Sequence, residues 1–439
     1  MHRLAGTSRG SQNYQAGGSL RIRLARLQGR TVHPLCGVDF GSSGGRASIH
    51  ESPALTYLTQ SGFKDLRSQS HENLGEFPHT PEISQILRPT TDTRCECARI
   101  IKGEFMAPTF STVAGCLIGC AVGDAMGAPF EGLWSESIPS ADLLLAGFHE
   151  YHGYPRGQYT DDTQLTLATI ESVVARRVIH IPDIARRIAE LWRHYSVIGP
   201  GGACTAAAER FLATGSHIQM GAAVGQAGNG AAMRTASLGL WFGDNHDAVI
   251  SAVTEVSQLT HRDSRSIAGG VVIAMAAGAL ARNRKLNAEA FCAYLADSCR
   301  QINPELADLL VQLPLHFESN SAIDFIAHSG QEKPEFDRPI ITPFVVPTVL
   351  AAIYCLIVHP NSWSDAVTTA IRLGGDVDTL GAIVGAVAGA RDGIESIPRH
   401  LVETVQNSRS ILTLATKYYH VLGDWHNTGE FGGNASQRT

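Results

Sequence analysis

Residues 112–126 read Thr-Val-Ala-Gly-Cys-Leu-Ile-Gly-Cys-Ala-Val-Gly-Asp-Ala-Met, an apolar run in which Gly115, Gly119 and Gly123 stand four apart and Gly127 continues the series. That period puts the glycines on one face of a helix. Each costs about 1 kcal/mol of helix propensity relative to Ala. The cost is tolerable where a second backbone must approach closer than the about 8–10 Å of ordinary helix packing. Gly381, Gly385 and Gly389 repeat the spacing later in the chain. Both rows adjoin carboxylates, so the sequence predicts close helix packing beside acidic turns.

Helical periodicity extends outward from this stretch. Thr112–Met126, Thr163–Val178, Ile181–Tyr195, Ala203–Thr214, Ala231–Trp241, Asp247–Ser257, Ser264–Ala281, Ala288–Ile302, Pro347–Val358, Ser364–Leu373, Leu380–Ala390 and Ile397–Ile411 all read as helices. Strand-like alternation is nearly absent. The fold class is therefore all-α: one large helical domain over 106–425, then a flexible tail at 426–439. Ile340–Val358 carries no charge and approaches the about 20 residues that span a bilayer. Pro343 and Pro347 interrupt it, so we read its second half as a central helix and expect no membrane span.

The 439 residues are 44% apolar and 17% charged, with a net charge of -6. This composition excludes a disordered or coiled-coil chain, and the acidic balance argues against nucleic acid as a partner. Nine cysteines show no disulfide framework, and Cys95 and Cys97 are too close together for a zinc knuckle. We expect reduced thiols and a cytoplasmic monomer. Residues 1–105 differ, being rich in Ser, Gly, Thr and Arg. Arg3, Arg9, Arg21, Arg23, Arg26 and Arg30 precede the first acidic residue. Such a segment is expected to be mostly disordered. It reads either as an organelle-targeting peptide or as an extension without function, with Met106 directly before the first patterned segment.

Two acidic turns carry the chemistry. Tyr159-Thr160-Asp161-Asp162-Thr163 and Gly374-Gly375-Asp376-Val377-Asp378-Thr379 each stand at a helix start. Asp and Thr there cap free amides and suit the helix dipole, but one such residue suffices and each turn has two carboxylates. Crowded carboxylates raise one another's pKa unless a cation neutralises them. Oxygen ligands without His or Cys select a hard ion, Mg²⁺ first and Mn²⁺ second. Four carboxylates from two helices suggest two ions. In a third segment, Gly123-Asp124-Ala125-Met126-Gly127-Ala128-Pro129-Phe130-Glu131, proline ends the helix and places Glu131 on a loop. There it suits an acid/base or a group near the metals.

Together these three motifs resemble the ADP-ribosylglycohydrolase family, which includes the enzyme that removes ADP-ribose from dinitrogenase reductase. Weaker elements follow in the family's order: Gly202–Thr205, Gly228–Arg234 and Thr260-His261. The likeness covers about 106–425. It implies a dimagnesium cleft in an all-α fold, with Thr160, Asp161, Asp162, Asp376, Asp378 and Thr379 as metal ligands and Asp378 bridging the ions. It implies Glu131 as the glutamate facing metals and ribose, with Asp161 and Asp378 as its catalytic partners. It implies Gly228, Asn229, Gly230 and His261 as substrate contacts. Arg234 is left between a phosphate contact and a brace of the loop. Val377 stands where relatives often carry Thr or Ser, and every metal-ligand position is intact, unlike the inactive branches of the family.

The implied reaction is Mg²⁺-dependent hydrolysis of the bond joining ADP-ribose to an acceptor. That acceptor is an ADP-ribosylated protein side chain (arginine or serine) or a small conjugate such as an O-acetyl-ADP-ribose. Two other classes share these residues: a module that binds ADP-ribose without turnover, and a metal-dependent phosphohydrolase of nucleotide diphosphates.

Overall fold

A computed structural model of the chain describes residues 107–428, apart from 243–244, 283–286, 318–320 and 334. The expectations for residues 1–105, including Cys95 and Cys97, and for the chain beyond 428 lie outside the described residues. Within them, fifteen α-helices occur and no strand. In chain order they are α1 (Phe110–Gly127), α2 (Ala141–Leu145), α3 (Asp161–Arg176), α4 (Ile181–Arg193), α5 (Gly202–Thr214), α6 (His246–Gln258), α7 (Ser264–Arg282), α8 (Ala288–Cys299), α9 (Pro304–Gln312), α10 (Ala322–His328), α11 (Val345–Val358), α12 (Trp363–Arg372), α13 (Val377–Asp392), α14 (Arg399–Thr404) and α15 (Ser408–Thr428). Side chains set several starts: Thr109, Asn245, Asn287, Asn303 and Ser362 each accept an amide of the first turn that follows.

α1 and α13 pair antiparallel at the centre, and the two glycine rows meet each other. A methyl group on Gly115, Gly119 or Gly123 would fall on the carbonyl oxygen of Gly389, Gly385 or Gly381 respectively, and the reverse holds for each pair. Gly127 abuts the backbone of Val377 and Asp378. The predicted close approach is therefore a single interface, and it delivers the end of α1 to the start of α13. Around this pair, α7, α11, α12 and α15 close the core, and the Trp363 indole donates to Gly385 O at 3.0 Å. The described cysteines Cys116, Cys120, Cys204, Cys292, Cys299 and Cys355 are free and buried.

The structure departs from the sequence reading at several elements. Ala231–Trp241 is two 3₁₀ turns, Ala232–Arg234 and Ala236–Leu240, rather than a helix. Thr235 Oγ1 there donates to Gly270 O at 2.8 Å, and Gly239 sits against the α7 backbone at Ala274. Ile397–Ile411 is broken after α14, where Gln406 N–H turns away to Gly157 O (2.9 Å) and Asn407 adopts a φ of +58°. Pro347 does not delay α11: it lies in the first turn, whose amides lack intrahelical partners anyway. The acidic turns reach further into their helices than expected, since α3 begins at Asp161 and α13 at Val377.

Phe110–Phe130 and α7 are long and apolar enough to cross a membrane, but their apolar windows are 94% and 78% buried inside the domain. Their apolarity serves the core. The charge-free stretch ends likewise in α11, where Val345 to Ile353 are all buried.

Candidate active site

Asp124 is fully buried on α1, one residue after a packed glycine. Its carboxylate accepts from Thr160 N at 2.9 Å, Thr160 Oγ1 at 3.0 Å, Thr163 N at 3.0 Å and Thr163 Oγ1 at 2.6 Å. Thr160, at the N-cap of α3, makes no side-chain capping bond of its own. The start of α3 is thus capped from another helix, and the carboxylates of its own first turn are released from that work. Asp161 and Asp162 turn into a cleft of about 160 Å³.

The second turn meets the first there. Asp376 also stands at an N-cap without a side-chain capping bond. Asp378 Oδ1 accepts from Thr379 N at 2.9 Å. Asp162 Oδ2 accepts from the Thr379 hydroxyl (3.3 Å) on the other turn and also lies 3.2 Å from the Thr160 hydroxyl on its own, whose single proton it shares with Asp124. Glu131 follows the 3₁₀ turn Ala128–Phe130, in which Pro129 is the second residue. Its carboxylate oxygen lies within 4.8 Å of one oxygen each from Asp376 and Asp378.

Burial first, and neighbouring carboxylates after it, hold Asp161, Asp162 and Asp378 well above the usual carboxylate range. Burial likewise lifts Asp124 to about 6, against four hydrogen bonds that pull it down. Asp162 Oδ1 is buried with no hydrogen-bond partner. An orphaned carboxyl oxygen buried among other carboxylates is costly, and a cation is the group that would relieve it. The residues fit a hard divalent ion. Their donors are carboxylate and hydroxyl oxygens, and burial pushes the nearby Cys204 thiol up to about 12, too high for a thiolate ligand. Capping alone does not account for the two turns.

The opposite wall is the loop Gly228–Gly230. Asn229 N donates to Pro343 O at 3.0 Å, and its side-chain amide donates to Asp376 Oδ2 (2.6 Å) and Thr348 Oγ1 (3.1 Å). This Asn therefore ties the loop to the acidic cluster. His261 is 2% exposed, lines the same cleft, and keeps its Nδ1 at 2.9 Å from Thr260 Oγ1. Burial, with Arg234 behind it, lowers the His261 pKa to about 3, so the ring is neutral near pH 7.

All the residues singled out from sequence therefore converge on the cleft; Thr160 does not line it, but its hydroxyl lies 3.0 Å from Asp124 Oδ1 and 3.2 Å from the cleft's Asp162 Oδ2. Asp124 belongs to the motif at 123–131, yet the sequence does not mark it as a site residue. Its signal was a carboxylate on the packed face of an otherwise apolar helix. Thr348 gave no signal in the sequence.

The family model described as ADP-ribosylglycohydrolase matches residues 106–428. The chain belongs to this family. Members of the family hydrolyse ADP-ribose conjugates. The chain is 28% identical to the ADP-ribosylhydrolase ARH3 of Gallus gallus over 65% of its own length and 86% of that protein. It is 29% identical to the ADP-ribosyl-[dinitrogen reductase] glycohydrolase of Rhodospirillum rubrum, again over 65% and 86%. A solved ADP-ribosylglycohydrolase-related protein complex superposes with a TM-score of 0.56 at 27% identity, covering 71% of this chain and 98% of that one. The ADP-ribosylglycohydrolase fold thus accounts for the helical domain and leaves the preceding residues outside the match.

Proposed function

We propose that the protein hydrolyses the glycosidic bond between ADP-ribose and its acceptor with divalent metal, Mg²⁺ as the first fit and two ions as the number. The observation that carries this reading is the orphaned Asp162 Oδ1 within a buried carboxylate cluster, in the same cleft as the Gly228–Gly230 loop. Thr160, Asp161, Asp162, Asp376, Asp378 and Thr379 would hold the metal. When bound, it supplies Lewis-acid activation of water and charge neutralisation.

The chain's own groups do the rest. The loop offers backbone amides to phosphate oxygens, and its glycines leave room for the His261 ring, which a Cβ on Gly228 or Gly230 would strike. His261 and the loop hold the ADP end, so the anomeric carbon of the ribose rests over the acidic wall. Glu131 accepts the proton of the attacking water as the bond breaks through an oxocarbenium-like state, and that proton goes on to the departing acceptor, so the water's hydroxyl ends on the anomeric carbon and its proton on the acceptor. The products are ADP-ribose and the free acceptor. The acceptor is an arginine or serine side chain or a small conjugate, and the site acts on it as a cytoplasmic monomer.

The test incubates the purified protein with arginine-linked, serine-linked and O-acetyl ADP-ribosyl substrates, with and without EDTA. Intact ADP-ribose released only without chelator supports the reading. AMP as product assigns a phosphohydrolase instead, and metal-dependent binding without any product assigns a binding module.

A further inference from the structure

Arg234 is fully buried behind the Gly228–Gly230 loop and its Nε has no hydrogen-bond partner; among the described residues no carboxylate is bonded to it, and Asp161 acts on it only at longer range. Burying a guanidinium with no carboxylate in contact is costly, so its hydrogen bonds have to justify its place. One Nη donates to Gly230 O. The other donates to Val256 O at 3.0 Å and to Thr260 Oγ1 at 2.7 Å.

Each carbonyl of the loop is occupied from behind. Gly228 O accepts from Ser266 Oγ at 2.7 Å, Asn229 O from Met233 N at 3.1 Å, and Gly230 O from Arg234. The amides of Gly228 and Gly230 donate to no other described residue. The loop thus keeps its lone pairs away from the cleft.

The second arm of Arg234 acts on His261. A guanidinium only donates, so its bond consumes a lone pair of Thr260 Oγ1 and directs that hydroxyl's proton elsewhere. Two acceptors are in reach: His261 Nδ1 at 2.9 Å and the Cys204 sulfur. Sulfur is the weaker acceptor. With Nδ1 accepting from Thr260, the ring proton resides on Nε2. That atom faces the loop, 3.1 Å from where a Gly228 Cβ would stand.

We propose that Arg234 is a positioning residue: through Thr260 it keeps the His261 proton on Nε2, and through Gly230 it keeps the loop carbonyls turned back. The cleft then meets a diphosphate with hydrogen-bond donors rather than lone pairs. The identity of that anion rests on the proposed function, whereas the ring tautomer does not.

The test compares wild type with Thr260→Val, which removes the hydroxyl at constant shape, and Thr260→Ser, which keeps it. Long-range nitrogen–proton NMR reads the histidine tautomers, with His261 assigned by the signal lost in His261→Gln. The wild type carries the proton on Nε2. Thr260→Val loses that preference and binds ADP-ribose about tenfold more weakly in calorimetry, as expected for one hydrogen bond to a charged group. Thr260→Ser restores both. A wild-type proton on Nδ1, or wild-type ADP-ribose affinity in Thr260→Val, overturns the proposal. Should wild type bind no ADP-ribose, the reading of the site fails, and the tautomer still decides the role of Arg234. The wild-type spectrum also decides it if Thr260→Val does not fold.

Discussion

Thr379 Oγ1 donates to Asp162 Oδ2 across 3.3 Å, a bond between side chains 217 positions apart. It joins two acidic turns that belong to different helices and makes them one wall. The separation also means that the site is only as stable as the packing that brings α3 and α13 together.

Asp378→Ala is expected to abolish Mg²⁺-dependent ADP-ribose release. Asp378 is held among buried like charges, so its removal relieves repulsion in the metal-free protein. In EDTA the variant should therefore melt a few degrees above wild type, and added Mg²⁺ should no longer raise its Tm. Near-normal turnover by Asp378→Ala would refute a metal role for this residue.

The carboxyl shifts fix the sign of the pH dependence. Asp124, Asp161, Asp162 and Asp378 all have folded-state pKa values raised above their ordinary ones, so the folded state binds more protons than the unfolded chain. Their stabilising contribution in the metal-free protein is complete below about pH 4, the ordinary Asp value. It declines as pH rises through about 6 for Asp124 and higher for the others. Mg²⁺ needs the same groups deprotonated. The melting-temperature difference between Mg²⁺ and EDTA samples should widen from about pH 5 to pH 8, and a gap that narrows would contradict the assignment of this cluster.

Asp124→Asn keeps the shape but sets an amide donor against four donors from Thr160 and Thr163. The first turn of α3 loses its cap, and the apparent Mg²⁺ affinity should fall about 10–100-fold, the usual effect of a group that supports metal ligands without being one. Titration of activity with Mg²⁺ measures it.

The glycine interface predicts opposite outcomes for one substitution at two helical sites. Gly119→Ala drives a methyl group onto Gly385 O, and should destabilise the domain by about 1–3 kcal/mol despite the better helix former. Gly423→Ala on α15 meets nothing within 4 Å and should stabilise it by up to about 1 kcal/mol. Chemical denaturation of both variants checks the pair.

Glu131→Gln should retain Mg²⁺ binding, read by the same melting shift, while turnover falls about 10²–10⁴-fold for lack of a proton acceptor. Full turnover would make Glu131 structural.

Much of this was legible because each relevant signal is local. Glycines four apart, paired aspartates at a helix start and a proline before Glu131 all act over one or two turns of chain. The all-α class was legible too, since strand-like alternation is nearly absent. What it hid depends on distant partners. Asp124 as the cap of α3 needs Thr160 and Thr163 folded against it. The tie from Asn229 to Asp376 and Thr348 needs three segments at once. Ala231–Trp241 has helical periodicity, and only the α7 backbone at Gly270 and Ala274 shows why it cannot complete an α-helix.

The pairing of Gly119 with Gly385 has a consequence for biosynthesis. α1 is the first described helix to leave the ribosome, yet its partner is the thirteenth, so almost the entire domain must be synthesised before the central seam can close. Until then the glycine face of a long apolar helix has nothing to cover it, and contacts this distant in sequence are slow to form and open to misassociation. Chains terminated before α13 would lack both the seam and half of the acidic wall, so nascent fragments of this protein should be inert and aggregation-prone rather than partly active.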